Sequence, residues 1–257
     1  MRRLLALLLL WTTCSLADPP VLRFSVAESW SMPLVRVEGQ QPVEGLLFDL
    51  MQGIAREVGA RPEYHVLARL RLQQAMDNGD IDVRCYVSTQ WFNDRPGHFV
   101  WSLPLFHQRD VLVGQPGDNA PIRPEQLPRQ AIGTVLGYTY TTLEPLFEQG
   151  QLRREDSRSQ ALALQKLQIG RYRHAVSNEL SLQWFNQRLP AEQRLQVLAV
   201  LDEQALGCMV RNDPAIPTQG ILRALVRMQQ SGEIARIMQR YGAKAAFDEV
   251  AAQQPGK

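Results

Sequence analysis

The strongest constraint is a segment that occurs twice: a helix end, a glycine stop, and a strand edging inward. Ala75-Met76-Asp77-Asn78-Gly79-Asp80-Ile81-Asp82-Val83 is echoed by Lys166-Leu167-Gln168-Ile169-Gly170-Arg171-Tyr172-Arg173-His174-Ala175. Each copy sits within an alternation of strand and helix, the pattern of βαβ units and a mostly parallel sheet. The first cycle predicts a strand over Val21–Ala27, a loop over Glu28–Glu44, and a helix opening near Gly45. In that helix Leu47, Leu50, Met51, Ile54 and Val58 keep helical spacing until Gly59. A strand at Glu63–Val66, a helix at Leu70–Asn78 and a strand at Ile81–Val87 complete it. The second cycle predicts strands at Asp110–Gly114 and Ala131–Val135, and helices at Thr141–Gln149 and Ser159–Ile169. A strand His174–Val176, a helix Leu180–Asn186, separate strands Leu195–Val200 and Gly207–Val210, and helices near Thr218–Gln230 and Glu233–Tyr241 follow. Two similar α/β lobes place a ligand between them, where helix N-termini and strand ends converge.

The N-terminus reads as an export signal. Arg2 and Arg3 precede the apolar run Leu4–Trp11, and Ser15-Leu16-Ala17 supplies small residues for cleavage. Removal of residues 1–17 leaves 240 of the 257, and the 28 Lys+Arg fall to 26, matching the 26 Asp+Glu. A chain of zero formal charge lacks the basic footprint that nucleic acid demands. The apolar run is too short to span a bilayer, which needs about 20 residues. At 45% hydrophobic and 21% charged residues the composition is that of a globular chain. Cys14 leaves with the signal, and Trp11-Thr12-Thr13-Cys14 is a poor lipobox. Cys85 and Cys208 then either pair in an oxidising compartment or act as buried apolar thiols. His65, His98, His107 and His174 show no metal-ligand spacing, so neither metal nor cofactor is expected.

Six segments in order resemble the type-3 extracellular solute-binding proteins, the periplasmic polar amino-acid receptors of ABC importers. They are Gly45-Leu46-Leu47-Phe48-Asp49-Leu50-Met51, Leu72–Val83, Arg95 with Trp101-Ser102, Gly133-Thr134-Val135-Leu136-Gly137, Gly170-Arg171 through Asn178, and Gly207–Asp213 with Ser231-Gly232-Glu233-Ile234 and Tyr241-Gly242. The resemblance implies the periplasmic binding protein type II fold, two α/β lobes joined by a two-segment hinge. Lobe one would be residues 18–104 with 207–257, lobe two 110–201, and the hinge 105–109 and 202–206. It implies a monomer that closes around a small polar or anionic, amino-acid-like ligand and delivers it to an inner-membrane ABC permease.

The same resemblance supplies the candidate ligand residues. Arg95 would hold a carboxylate in a bidentate fork, against the alternative of a solvated loop arginine. Asn178 stands where amino-acid receptors usually carry Asp for the ligand's ammonium. Either Glu179 or Glu28 substitutes, the ligand is not an ordinary α-amino acid, or Asn178 merely caps a helix. Arg69 replaces an expected aromatic, and two arginines in one cleft would favour an anionic or dicarboxylic ligand; the alternative is a solvated first-turn residue. Trp30 would form one wall, with Trp91 and Phe92 as wall or lobe core. Ser88 and Thr89 are candidate polar contacts, and Tyr138 and Thr139 would open a helix whose free N–H groups attract a carboxylate. Cys85 and Cys208 fall on strands that neighbour each other in the family's sheet, which implies a cross-strand disulfide. Two rival readings stand beside the receptor. A cyclohexadienyl dehydratase-like enzyme would need a proton donor, with Glu179 and Glu28 the candidates. A stand-alone periplasmic sensor would dock on a signalling partner.

Overall fold

The computed structural model describes residues 18–92, 98–118 and 120–243. The expected signal peptide, Arg95 and residues 244–257 lie outside the described residues. Strand β1 (Val21–Ala27) buries Leu22, Phe24 and Val26, and is followed by a small hairpin, β2 (Arg36–Glu38) and β3 (Gln41–Glu44), inside the segment expected to be loop. Helix α1 (Leu46–Glu57) turns Leu46, Leu47, Leu50, Met51 and Ile54 into the core. Burying each such side chain is worth about 1.5–3 kcal/mol. Its N-cap Gly45 has φ +130°, and a Cβ there would lie 2.4 Å from the Leu34 carbonyl oxygen, so the tight entry requires glycine.

Strand β4 (Arg61–Leu67), helix α2 (Arg69–Asp77) and strand β5 (Val83–Val87) complete the first parallel unit, with β1 between β4 and β5. A short strand β6 (Phe99–Trp101) leads to β7 (Phe106–Gly114) and β8 (Gln130–Val135). Helix α3 spans only Glu144–Glu148, not Thr141–Gln149. The preceding segment is held in an irregular path instead: the Val135 N–H donates to the Tyr140 hydroxyl at 2.9 Å, and Arg154 donates to the carbonyls of Tyr138 and Val135 at 2.9 and 3.0 Å. Tyr138 and Thr139 therefore do not open a helix.

Strand β9 (Leu152–Ser157) had no counterpart among the expected elements. Its Leu-Arg-Arg-Glu-Asp-Ser sequence lacks an apolar stripe because it is a charged edge strand, paired in parallel with β8 alone. Helix α4 (Gln160–Gln168), strand β10 (Ala175–Asn178) and helix α5 (Glu179–Asn186) follow. The repeated glycines Gly79 and Gly170 both adopt left-handed φ, +79° and +76°, at the ends of α2 and α4.

The separate strands expected at Leu195–Val200 and Gly207–Val210 are one 16-residue strand, β11 (Gln196–Arg211). It pairs antiparallel with β7 from Gln196 opposite Gly114 to Leu206 opposite Phe106. The polar run Asp202-Glu203-Gln204 reads as a break, yet its main chain stays in the ladder while the side chains leave the core. The segments 105–109 and 202–206 thus lie almost wholly within a continuous β ribbon. The sheet order is β4-β1-β5-β11-β7-β10-β8-β9, so the ribbon is shared between a first group of strands and a second. Helices α6 (Thr218–Gln230) and α7 (Glu233–Arg240) return to pack on α1, burying Leu225, Met228, Ile234 and Met238 with Phe24 and Ile54.

Cys208 of β11 faces Cys85 of β5, and the two form a disulfide with Cα atoms 3.9 Å apart. Nearby, Asp82 is almost wholly buried and holds Arg23 at 2.6 Å and Arg211 at 3.0 Å, tying β1 to the far end of β11. Its desolvation is outweighed by hydrogen bonds from Arg23 and Arg211, leaving its carboxyl below the usual range.

Candidate ligand-binding cleft

A cavity of about 570 Å³ lies at the junction of the two lobes, a size that suits a small metabolite. Its floor is the shared ribbon, through Gln108 and Asp110 of β7 and Gln204 of β11. One wall comes from Trp30, Arg69, Arg84 and Tyr86 of the first lobe, the other from Tyr138, Thr139 and Asn178 of the second.

The lobes touch at the cleft mouth. The Arg69 guanidinium carbon sits 4.1 Å from the Tyr138 ring centroid and 5.3 Å from that of Trp91. The Ser29 hydroxyl donates to the Tyr138 hydroxyl at 3.3 Å. Gly137 comes so close to α2 that a Cβ there would meet Leu70 at 3.4 Å. Trp30 is buried edge-on against Tyr86, with ring centroids 6.3 Å apart. Tyr86 itself has φ +61°, an unusual conformation for a bulky residue, and its buried ring packs against Trp30 and Phe106 at the cavity wall.

Arg84 is the residue that sequence reasoning missed. It lies mid-strand in β5 with only 7% of its surface exposed, and no carboxylate among the described residues pairs with it. Its Nη1 reaches Gln73 Oε1 at 3.5 Å, and its guanidinium carbon lies 5.5 Å from the Phe92 ring centroid. Burial, with the charge of Arg69 nearby, pushes it down to about 10. The available signal was a charged residue inside the otherwise apolar run Val83-Arg84-Cys85-Tyr86-Val87.

Asn178 ends β10 and caps α5, its Oδ1 accepting the Ser181 N–H at 2.7 Å. One acceptor lone pair is engaged in the cap; the side chain keeps its Nδ2 donor and carries no charge. On the neighbouring strand Asp110 is its register partner. Burial and the charge of Asp202 raise the Asp110 carboxyl to about 7, against a 2.9 Å hydrogen bond from Gln108 Nε2 and the attraction of Arg69. Asp202 faces Asp110 across the ribbon.

Four of the expected residues are not brought to this cavity. Glu28 is exposed at the end of β1. Ser88 is buried, and its hydroxyl accepts the Gln90 N–H at 3.3 Å in a local turn. Thr89 is exposed in that turn. Glu179 pairs with Arg109 at 3.4 Å and lines a smaller cavity of about 130 Å³, which shares Tyr86, Gln108 and Asn178 with the first. Among the described residues no group of His, Cys, Asp and Glu could hold a metal ion, and no helix is long and apolar enough to cross a membrane.

Two α/β lobes around a ligand-sized cavity, floored by strands common to both, define a type II periplasmic binding protein. Residues 23–244 match the model of the bacterial extracellular solute-binding proteins, family 3, and the chain belongs to that family. Solute binding is accordingly its role. Solved structures share the fold. An ancestral arginine-binding protein bound to arginine aligns at 20% identity and TM-score 0.70, covering 88% of this chain and 99% of that one. The GluR0 ligand-binding core from Nostoc punctiforme in complex with L-glutamate aligns at 18% identity and TM-score 0.67, covering 87% and 99%. An ancestral amino-acid-binding protein, a precursor of cyclohexadienyl dehydratase, aligns at 16% identity and TM-score 0.69, covering 86% and 95%. No curated protein sequence matches the chain.

Proposed function

We propose that the protein is exported by cleavage after Ala17, works in the periplasm as a monomer, and captures a small carboxylate-bearing, amino-acid-like solute for an inner-membrane ABC permease. The observation that carries this reading is Arg84: a buried guanidinium, facing the cavity beside Arg69, with no anionic partner among the described residues. Leaving a buried charge unpaired is costly, and a bound carboxylate removes that cost through a bidentate, charge-assisted pair. Arg69 supplies the second positive charge, Asn178 a donor, and Trp30 with Tyr138 the apolar walls. Arg95 enters this reading, on the resemblance alone, as a further carboxylate ligand. A thermal-shift screen over amino acids, dicarboxylates and polyamines tests it. Carboxylates should stabilise the chain and polyamines should not; selective stabilisation by polyamines would overturn the reading.

One observation favours a second reading. Asp110, raised to about 7 inside the cavity, has the proton affinity of a general acid, which neither Glu28 nor Glu179 is placed to supply there. Product formation on incubation with prephenate would establish a dehydratase; stabilisation without turnover fits the receptor.

A further inference from the structure

Among the described residues the cavity is lined by two arginines, and its second wall presents a neutral amide already engaged in a helix cap. A ligand carrying a positive charge as well as a carboxylate needs an anionic group elsewhere. Among the described residues lining the cavity, one side chain is a carboxylate, Asp110. It sits one strand from Asn178, in register with it, so both side chains leave the same face of the sheet. Asp110 and Gln108, two residues apart on β7, also share a face, and Gln204 lies opposite Gln108 on β11.

Building on the carboxylate-binding reading, we infer that Asp110, on the ribbon joining the lobes, accepts the ligand's ammonium group in place of Asn178. The cavity then selects zwitterionic amino acids over carboxylates that lack an amine.

Three observations support this assignment. Asp110 has no ion pair among the described residues; its one side-chain hydrogen bond comes from the neutral amide of Gln108. Arg69, the cation whose charge acts on Asp110, is engaged by the rings of Tyr138 and Trp91. The Oε1 of Gln204, on the same floor, is buried without a hydrogen-bond partner, and gives an ammonium a second acceptor. The raised proton affinity of Asp110 agrees with this: burial and the charge of Asp202 outweigh the Gln108 hydrogen bond and the attraction of Arg69. An ammonium at this point would touch the strand pair shared by both lobes, while the ligand's carboxylate reaches Arg84 in the first.

The test pairs each of several L-amino acids with the acid that lacks its α-amino group, as glutarate stands to L-glutamate, in calorimetric titrations of the full chain. The wild type should bind the amine-bearing member at least tenfold more tightly. Asp110→Asn, which is isosteric, should erase that advantage while still binding the deaminated acids. Asp110→Ser carries the same expectation should the Asn variant fail to fold. An advantage that survives in these variants, or equal binding of both members by the wild type, overturns the inference and leaves carboxylate binding standing. Failure of every carboxylate to bind the wild type overturns the carboxylate reading, and this inference with it. Asp202→Asn, which alters no cavity-lining group, should keep the advantage; losing it there alone also contradicts the assignment to Asp110.

Discussion

The guanidinium of Arg69 covers the ring of Tyr138 from across the cleft, its carbon 4.1 Å from the ring centroid, so a cation of one lobe is clasped by an aromatic of the other. Such a contact is worth about 0.5–2 kcal/mol depending on solvent exposure. It forms only when the lobes are together, so its free energy adds to the closed state and slows ligand release. Tyr138→Ala should raise the dissociation rate of a bound solute about tenfold in stopped-flow displacement. Tyr138→Phe, which keeps the ring and loses only the long Ser29 hydrogen bond, should stay within threefold of wild type. Equal rates for the two variants would remove the ring from the account.

On the proposed reading, Arg84 is a binding group kept at a cost to stability. In the unliganded chain its charge is desolvated and has no carboxylate partner among the described residues. Arg84→Met preserves much of the aliphatic volume and removes the charge, so the unliganded protein should gain about 1–3 kcal/mol. A higher urea midpoint with unchanged slope checks this. A loss of stability would mean that the guanidinium is already compensated.

Asp110 makes the stability of the unliganded chain depend on pH. Its folded value, about 7, lies above the ordinary 3.8, so the folded state holds the proton more tightly than the unfolded state between these limits. Stability therefore falls as pH rises from about 4 to about 7, and levels off above that. The full shift converts to roughly 4 kcal/mol, and solvent in the cavity reduces this to about 1–3 kcal/mol. Urea midpoints across this range, compared with those of Asp110→Asn, isolate the effect: the variant should lose that part of the slope.

Much of the fold was legible because it rests on local signals. The glycines after α2 and α4 stop helices by adopting left-handed φ, and the apolar spacing of Leu47, Leu50, Met51 and Ile54 is the buried stripe of α1. Of the residues singled out in the sequence, Trp30, Arg69, Tyr138, Thr139 and Asn178 line the candidate cavity. Its electrostatics were not legible. Asp110 and Asp202 meet through an antiparallel register between distant segments, and no local pattern marks that pairing. Asn178 proved to be a helix cap, and the carboxylate near it is supplied by another strand. The edge strand β9 escaped notice because its charged side chains suit an edge and erase the periodicity by which strands are read.

The Cys85–Cys208 bond joins β5, which carries Arg84 and Tyr86, to the long strand β11 across a sequence separation of 123 residues. Closing so long a loop stabilises by about 2–5 kcal/mol, chiefly through the unfolded state. The Cys85→Ala/Cys208→Ala variant should melt about 5–15 °C lower than wild type. Exported, denatured wild type lacking residues 1–17 should show no free thiol; two free thiols would contradict the bond.

The most direct test of the central claim is calorimetric titration of Arg84→Gln with whichever carboxylate stabilises the wild type most. Removing one charge-assisted pair from the buried end of the ligand should weaken binding about 10–100-fold while the fold remains intact. An unchanged dissociation constant would contradict the assignment of Arg84 as the carboxylate anchor.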